Sequence, residues 1–496
     1  MNTQQRERGQ RRRFSPARDI PAGVAVAFIL IPQSLAYAEL AGMPPHRGLL
    51  VAAIAPIAAV FFVSSPYLQT GPVALTSLLT LVALSGRAEL AGTEYVLLGV
   101  ALAVIVGGVR VVISLFRWGR VAHIFSQPVL RGFVLGAAVL ILSSQLPAAL
   151  GVDVGERGLV GGAVYVLGSP SHWETEAALL SFMTAAVILG GRRLHPRFPG
   201  VLVAMVGGLS YSIVSGYDGA TVGAIEQGQW GIPGSFPWEE VAGLIVPGVV
   251  IAVVAFGEAL SISQTFADED GELWDANREF MSQGVANLAS AAVGGFPVGG
   301  SFSRSSLNRL AGGESRWAGA VAGLGVVFFL PFGGILEYLP KALLGATVIA
   351  AILSLLDPRP MVSLFRKDRV QGGIGLVTFI GVLFAAPRVE IAIVVGAALN
   401  LFFDWQRRGS IEIQTQPGRR LRISGHLCFL TVGELERAVT SQLQIALGEE
   451  SADKLRTATI DISELGGLDA TGRGLLEDVL RGAERRHRVL IQAGTT

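Results

Sequence analysis

The chain has 496 residues, of which 51% are hydrophobic and 16% are charged, and its mean hydropathy is +0.53. An average soluble protein carries roughly 25% charged residues, so this composition excludes an ordinary soluble globule and indicates a polytopic membrane protein. The net charge of +1 gives no support for nucleic-acid binding. The single cysteine, Cys428, excludes an intramolecular disulfide and cannot by itself build a zinc site.

The N-terminal segment, residues 1–18, is polar and rich in arginine, and it directly precedes the first apolar span. Positive charge beside a first span favours the cytoplasmic side. We therefore predict a cytoplasmic N-terminal segment on a multi-pass protein of the cell inner (plasma) membrane.

Residues 19–408 form the predicted transmembrane domain. Its fourteen apolar segments lie at about 20–43, 46–63, 72–85, 95–116, 124–150, 177–190, 198–216, 242–266, 280–296, 302–312, 317–334, 342–356, 371–386 and 389–405, and several are too short to cross a bilayer alone. Fourteen crossings return the chain to the cytoplasm and divide into seven plus seven. The third and tenth segments, both short and interrupted, then occupy equivalent places, as an inverted repeat predicts.

The first span carries two polar candidates near a proline. Pro32 removes a backbone donor and frees carbonyl groups, so Gln33 is a candidate substrate contact, with an interhelical hydrogen bond as an equally supported alternative. Glu39 lies close to the end of this span, where it is either a proton-coupling residue or a solvated helix end.

The tenth segment is the most informative stretch, Pro297–Gly312, which reads PVGGSFSRSSLNRLAG. Pro297 and two glycines end one helix, and Ser301 is a natural N-cap for a short helix that runs through Leu310. The free N–H groups of that half-helix, beside the guanidinium of Arg304, predict an anion site. In the third segment Pro72 is predicted in the first turn of a matching short helix. The alternative is that both are re-entrant turns that only support the bundle.

Glu258 lies well inside the eighth segment, within Phe256–Phe266. An intramembrane acid is a functional candidate by default. A Glu258 that faces Arg304 could gain and lose a proton as an anion enters and leaves, which is the chemistry of proton coupling. The alternative is a permanent structural ion pair between Glu258 and Arg304.

The composition changes after Arg408. Residues 409–496 alternate as strands around 411–414, 421–423, 457–462 and 488–491, with helix-like stretches at 432–447 and 469–485. They predict a small cytoplasmic α/β domain.

Four spaced motifs resemble, in order, the hallmark stretches of the sulfate permease (SulP) anion transporters: IPQSLAYAELAGMPPHRGLL, TGPVALTSLL, GEALSISQTFA followed by WDANREFMSQGVAN, and PVGGSFSRSSLNRLAG. Residues 409–496 resemble the STAS domain that closes those proteins. The resemblance implies core and gate domains, elevator-like alternating access and a homodimer. By position it places the anion site at Gln33, at Thr70 with the N–H groups after Pro72 such as that of Val73, and at Ser301, Phe302, Ser303 and Arg304, with the family's acidic position at Glu258.

These observations predict a secondary transporter that carries a small oxyanion, such as a dicarboxylate, sulfate or bicarbonate, together with protons. Rival interpretations are an anion exchanger or uncoupled conductor, and a membrane sensor or scaffold for the STAS domain, whose partner is unknown. No nucleophile–base constellation or metal spacing stands out, so no enzymatic activity, cofactor or metal is expected.

Overall fold

The computed structural model describes residues 14–85, 92–119, 126–155, 157–195, 198–223, 231–232, 234, 236, 238–270, 274–385, 388–407, 412–416, 420–426, 456–466, 476 and 489–494. Outside the described residues lie the arginines from Arg6 to Arg13, Cys428 and, apart from Leu476, both predicted C-terminal helices. The chain divides into two compact units. The first comprises Met1–Ala122, Phe133–Arg359 and Phe379–Ala392, and the second comprises His123–Gly132, Pro360–Thr378 and Ile393–Thr496.

The first half of the chain is helical in its described part. Its helices are α1 (Pro16–Leu40), α2 (Pro45–Ala59), α3 (Ala74–Leu84), α4 (Thr93–Leu115), α5 (Gln127–Leu150), α6 (Leu159–Gly168), α7 (Thr175–Leu194) and α8 (Gly200–Ser215). Pro32 lies inside α1 without ending it, because neighbouring helices can support a proline within a helix.

The second half of the chain, up to Arg407, is also mainly helical in its described part. Its helices are α9 (Trp238–Asp270), α10 (Ala276–Ala292), α11 (Phe302–Leu310), α12 (Trp317–Phe329), α13 (Lys341–Ile352), α14 (Arg359–Lys367), α15 (Arg369–Ala385) and α16 (Val389–Arg407). Short 3₁₀ turns extend α12 through Leu330–Tyr338 and α13 through Leu353–Leu356.

Each of the fourteen predicted apolar segments coincides with a helix. Two further helices, α6 and α14, were not predicted. Helix α14 carries the charges Arg359, Arg366 and Lys367, which are typical of a loop between spans. Within the described residues, five helical stretches are long and apolar enough to cross a membrane, namely Pro16–Leu40, Thr93–Leu115, Gln127–Leu150, Trp238–Ala267 and Trp317–Tyr338, and eight shorter apolar helices accompany them.

The helices of the first unit pack in two groups, which meet where α1 contacts α8 and α13. In one group α4 packs on α9 and α10, while α1 and α2 pack on each other and on α12. In the other group α7 packs on α8 and α13. Large apolar side chains such as Val214, Phe182 and Phe328 are exposed on the outer faces, as expected where lipid replaces water.

Two very short strands join the halves of the first unit. Strand β1 (Thr70–Gly71) pairs antiparallel with β2 (Gly299–Gly300), so that Thr70 lies opposite Gly300. The main chain continues the pairing, because the Ser301 N–H donates to the Gln69 carbonyl at 2.9 Å. Two segments that lie more than two hundred residues apart in sequence are thereby fixed side by side.

Polar side chains of α10 hold β2 from behind. The Asn287 amide both donates to the Val298 carbonyl (3.2 Å) and accepts from the Val298 N–H (3.0 Å). Ser290 donates to the Phe296 carbonyl at 2.6 Å. Since every buried backbone group needs a partner in a membrane, these side chains make the irregular segment before β2 possible.

In the second unit four strands form one sheet in the order β3 (Glu412–Gln416), β4 (Arg420–His426), β5 (Arg456–Gly466) and β6 (Val489–Gly494). The first pair is antiparallel and the other two pairs are parallel. These strands coincide with the four strands predicted from the sequence. Parallel strands need crossover connections, and the two stretches that the sequence predicts to be helical fall in those connections.

Candidate functional site

The strand pair brings two helix N-termini together. Helix α3 follows β1 after Pro72 and Val73, and α11 follows β2 after Ser301. The Ser301 hydroxyl accepts from the Arg304 N–H at 3.4 Å, so the predicted N-cap is confirmed. Each helix presents unpaired N–H groups and the positive end of its dipole at its start.

The predicted start of α3, which placed Pro72 in its first turn, is wrong by two residues. Helix α3 begins at Ala74 with Val73 as its N-cap, so Pro72 precedes the helix instead of lying in its first turn. The Pro72 carbonyl accepts a hydrogen bond of 2.9 Å from Nη2 of Arg304. Pro72 therefore contributes an acceptor that links the two half-helices.

A cavity of about 690 Å³ opens at these N-termini within the first unit. One wall comes from α1, α3, α9 and α11. The other wall comes from α7, α8 and the end of α13. The lining includes Gln33, Tyr37, Val73, Ala74, Glu258, Ser301, Phe302, Ser303, Val201 and Ile352. Six predicted site residues therefore meet at one cavity, namely Gln33, Val73, Glu258, Ser301, Phe302 and Ser303.

Arg304 is buried and does not line the cavity. Its Nη1 donates to Oε1 of Gln33 at 3.1 Å and its Nη2 donates to the Pro72 carbonyl. The expectation of a guanidinium beside the cavity is thus corrected, because Arg304 lies on the face of α11 that packs on α1 and β1. Its charge reaches the cavity across Gln33, which lines the wall and accepts from it.

Thr70 is also buried away from the cavity lining. Its hydroxyl oxygen accepts from the Gln283 side-chain amide at 2.7 Å. Thr70 thus fixes β1 to α10. Because it does not line the cavity, Thr70 is not placed to contact an anion there directly.

Glu258 is the one charged residue among the described cavity-lining residues, and it is half-buried in α9. Among the described residues no hydrogen bond or ion pair joins Glu258 to Arg304, although the two groups interact electrostatically. The two Nη atoms of Arg304 donate to Gln33 and Pro72, and its Nε has no hydrogen-bond partner among these residues. This geometry does not favour the alternative of a permanent ion pair. It leaves the carboxyl group facing the cavity.

The Ser301–Ser303 turn supplies hydroxyl groups at the cavity edge. The two serine Oγ atoms lie 3.3 Å apart, and Ser303 is exposed. Phe302 between them is 55% exposed and stacks on Phe266 of α9, with ring centroids 6.3 Å apart. The turn therefore offers hydroxyl donors beside an apolar ring.

Glu39 lies elsewhere. Its carboxylate forms an ion pair of 2.8 Å with Lys341, the first residue of α13, and it does not line the cavity. Glu39 thus lies at a helix end, as in the alternative that the sequence left open, but its side chain is only 21% exposed and is ion-paired instead of solvated.

Two residues that the sequence analysis did not single out are close to the site. Arg110 in α4 is fully buried and donates to the carbonyls of Ala252, Val298 and Ile251. Tyr37 lines the cavity one turn after Gln33. An arginine inside an apolar segment was the available signal for Arg110, and the i to i+4 spacing from Gln33 was the signal for Tyr37.

The long apolar helices of the described residues are those of a multi-pass membrane protein, and a cavity with two half-helix N-termini at its wall lies among them. The sequence profile of the sulfate permease family matches residues 17–378. The chain therefore belongs to the sulfate permease family.

Named relatives agree with this assignment. A protein named probable sulfate transporter, from Mycobacterium tuberculosis strain H37Rv, is 34% identical over 374 residues, which cover 74% of this chain and 66% of that protein. The chloroplastic sulfate transporter 4.1 of Arabidopsis thaliana is 28% identical over 414 residues, covering 78% of this chain and 58% of the plant protein. The chain thus spans less than two thirds of the length of these relatives. Their names are those of transporters, in agreement with the expectation that the chain is not an enzyme.

Solved structures share the fold. The murine Slc26a9 anion transporter in its inward-facing state is 20% identical, with a TM-score of 0.71, and the match covers 96% of this chain and 85% of that chain. The transmembrane domain of the cyanobacterial bicarbonate transporter BicA is also 20% identical, with a TM-score of 0.66, covering 78% of this chain and 98% of that chain.

Proposed function

We propose that the protein is a secondary transporter that carries a small oxyanion together with a proton across the cell inner (plasma) membrane. The single observation that carries this proposal is the cavity at which Val73, Ser301 and Glu258 meet. It combines anion-attracting helix ends with one ionisable carboxyl group. The relatives named for sulfate and bicarbonate make those anions, together with dicarboxylates, the substrates to test first.

The anion binds at the two half-helix starts in this proposal. The N–H groups after Val73 and after Ser301 donate to the oxyanion, and the hydroxyl groups of Ser301 and Ser303 add donors. The Gln33 amide lies between the cavity and Arg304 and accepts a hydrogen bond from the guanidinium. The charge of Arg304 stabilises the anion across Gln33. No metal, cofactor or covalent step is required.

Glu258 carries the proton. A protonated Glu258 is neutral and admits an anion beside it, whereas an ionised Glu258 repels the anion. Anion and proton therefore enter together and leave together, and a proton gradient drives accumulation. Glu39, which pairs with Lys341, is not assigned a part in coupling.

Movement of one helix group against the other would open the cavity to each side in turn. The cavity wall already divides between the group that contains α1, α9 and the half-helices and the group that contains α7, α8 and α13. We propose that these groups are the core and the gate of an elevator, built as a seven-plus-seven inverted repeat of fourteen spans and working as a homodimer. The strands of residues 409–496 belong to a cytoplasmic STAS domain in this proposal, and the N-terminus is cytoplasmic too.

Transport itself is tested by blocking the cavity. Purified protein in liposomes should take up isotope-labelled sulfate, bicarbonate or succinate, and Val73→Trp, which fills the cavity beside the α3 N-terminus, should abolish uptake. Val104→Trp is the matched control, because Val104 is exposed on α4 away from the cavity, and it should transport normally. Undiminished uptake by folded Val73→Trp would contradict the proposed site.

Two rivals make different predictions. An exchanger or uncoupled conductor would move anions without any response to a proton gradient. A sensor would move no anion in liposomes at all, while deletion of the residues after Arg408 would abolish its biological readout.

A further inference from the structure

Arg110 is a fully buried cation next to the anion site. Its Nε donates to the Ala252 carbonyl at 2.9 Å, its Nη1 to the Val298 carbonyl at 3.1 Å and its Nη2 to the Ile251 carbonyl at 3.5 Å. All three partners are uncharged, and no ion pair of Arg110 is found among the described residues. Carbonyl dipoles satisfy the donors of this guanidinium, but they do not neutralise its charge.

The position of Arg110 relates it to the half-helices. Val298 lies three residues before Ser301, and three residues span at most about 11 Å. With the hydrogen bond of 3.1 Å added, the guanidinium lies within about 14 Å of the α11 N-terminus. Arg110 and Arg304 thus approach the same strand pair, Arg110 through Val298 and Arg304 through Pro72.

Other buried charges of the first unit are engaged away from the cavity lining. The Asp19 carboxylate accepts from the Glu314 and Ser315 N–H groups, and the Glu279 carboxylate accepts from the Ser64 and Ser65 N–H groups. Neither guanidinium group lines the cavity, but Arg110 and Arg304 bond Val298 and Pro72, which flank the strand pair, and Glu258 is the carboxyl group that lines the cavity. Two buried guanidinium groups therefore act on the anion site against one carboxyl group. When Glu258 is protonated, the site has an excess of two positive charges, which a doubly charged anion would balance.

We propose that Arg110 is the second cationic group of the anion site and that it makes the site favour doubly charged over singly charged oxyanions. This inference rests on the proposed function. Arg110 acts through space and through its hold on Val298, so it is a specificity-determining residue that need not touch the anion.

The size of the effect follows from Coulomb's law. At that upper limit of about 14 Å, and at an effective dielectric constant of about 20, removal of one positive charge weakens binding of a monoanion about sevenfold and of a dianion about fiftyfold, and a shorter distance makes both factors larger. A purely structural role would weaken both kinds of anion by the same factor. The ratio of the two affinities therefore separates charge from structure.

The experiment measures dissociation constants by titration calorimetry at one pH for sulfate against nitrate and for succinate against butyrate. The wild-type protein should bind the dianion of each pair more tightly. Arg110→Gln and the apolar Arg110→Met should lower that preference about sevenfold, whereas Arg110→Lys, which keeps the charge, should hold it within about twofold.

Arg47→Gln is the matched control. Arg47 is likewise buried and donates to backbone carbonyls, those of Gly231 and Val293, but it does not bond the strand-pair segment. The control variant should keep the wild-type preference even where its thermal stability falls.

An unchanged affinity ratio in folded Arg110→Gln or Arg110→Met overturns the inference. A wild-type protein that binds each monoanion as tightly as the matching dianion also overturns it, and this second measurement does not depend on the folding of any variant. A folded wild-type protein that binds none of the four anions would instead contradict the proposed function itself.

Discussion

At the scale of single residues, Arg304 connects the parts of the proposed anion site and does not line its cavity. The same guanidinium bonds Gln33 on α1 and the Pro72 carbonyl before α3, while its own N–H is held by Ser301. A planar guanidinium can reach two acceptors at once, which a compact ammonium group cannot do with the same geometry.

Replacement of Arg304 by alanine should weaken anion binding by about 1.5–3 kcal/mol, because the charged hydrogen bond that orients the Gln33 amide is lost together with the positive charge behind it. Arg304→Lys should fall between alanine and the wild type, because the charge remains but one of the two acceptors is lost. Calorimetric titration of the wild type and both variants gives the comparison. An unchanged affinity in Arg304→Ala would leave this residue with a structural role alone.

How much of the site could be predicted differs from residue to residue. The N-cap at Ser301 depends on local sequence and was predicted correctly. The direction of the Arg304 side chain depends on what packs against α11, and the pairing of Thr70 with Gly300 joins two-residue strands that carry no local signal. Tertiary contacts of this kind could not be derived from local sequence patterns.

At the scale of elements, the close approach of α1 and α2 holds Gln33 at the cavity. Gly48 on α2 lies so near α1 that an added Cβ would come within 2.0 Å of the Ser34 carbonyl oxygen. Ser34 directly follows Gln33, so a displacement of α1 here would also displace the cavity wall. Small residues that permit such contact are typical of helix packing in membranes.

Gly48→Ala should therefore destabilise the protein by about 1–3 kcal/mol or more, the usual cost of overpacking, and should weaken anion binding as well. Gly108→Ala in α4 is the control, because an added Cβ there meets no atom within 4 Å. Thermal unfolding of both variants in the same detergent measures the difference. Equal melting temperatures would show that α1 and α2 separate without cost.

The helices themselves were largely predictable, since apolar length and charged loops give strong signals. Helices α6 and α14 were not predicted, and α3 begins two residues later than predicted. The packing of the first unit in two groups of helices could not be predicted from any single segment, because it depends on which apolar faces of different helices meet.

At the scale of the whole molecule, two kinds of group have separate roles in the proposed transport. In the proposed mechanism, backbone donors and buried guanidinium groups attract the anion, and Glu258 supplies the proton that makes its passage respond to a pH gradient. Family membership alone does not choose between coupled and uncoupled transport. The position of Glu258 on the cavity wall, without a hydrogen bond or ion pair to Arg304 in the described residues, favours coupling.

The most direct test imposes an inside-alkaline pH gradient on liposomes that contain the protein and measures accumulation of labelled sulfate or succinate. The wild-type protein should accumulate the anion above equilibrium and acidify the lumen. Glu258→Gln, which resembles the protonated carboxyl group but cannot release a proton, should still bind and exchange the anion yet lose the response to pH. Accumulation that Glu258→Gln retains, or a wild-type flux that ignores the gradient, would contradict the account.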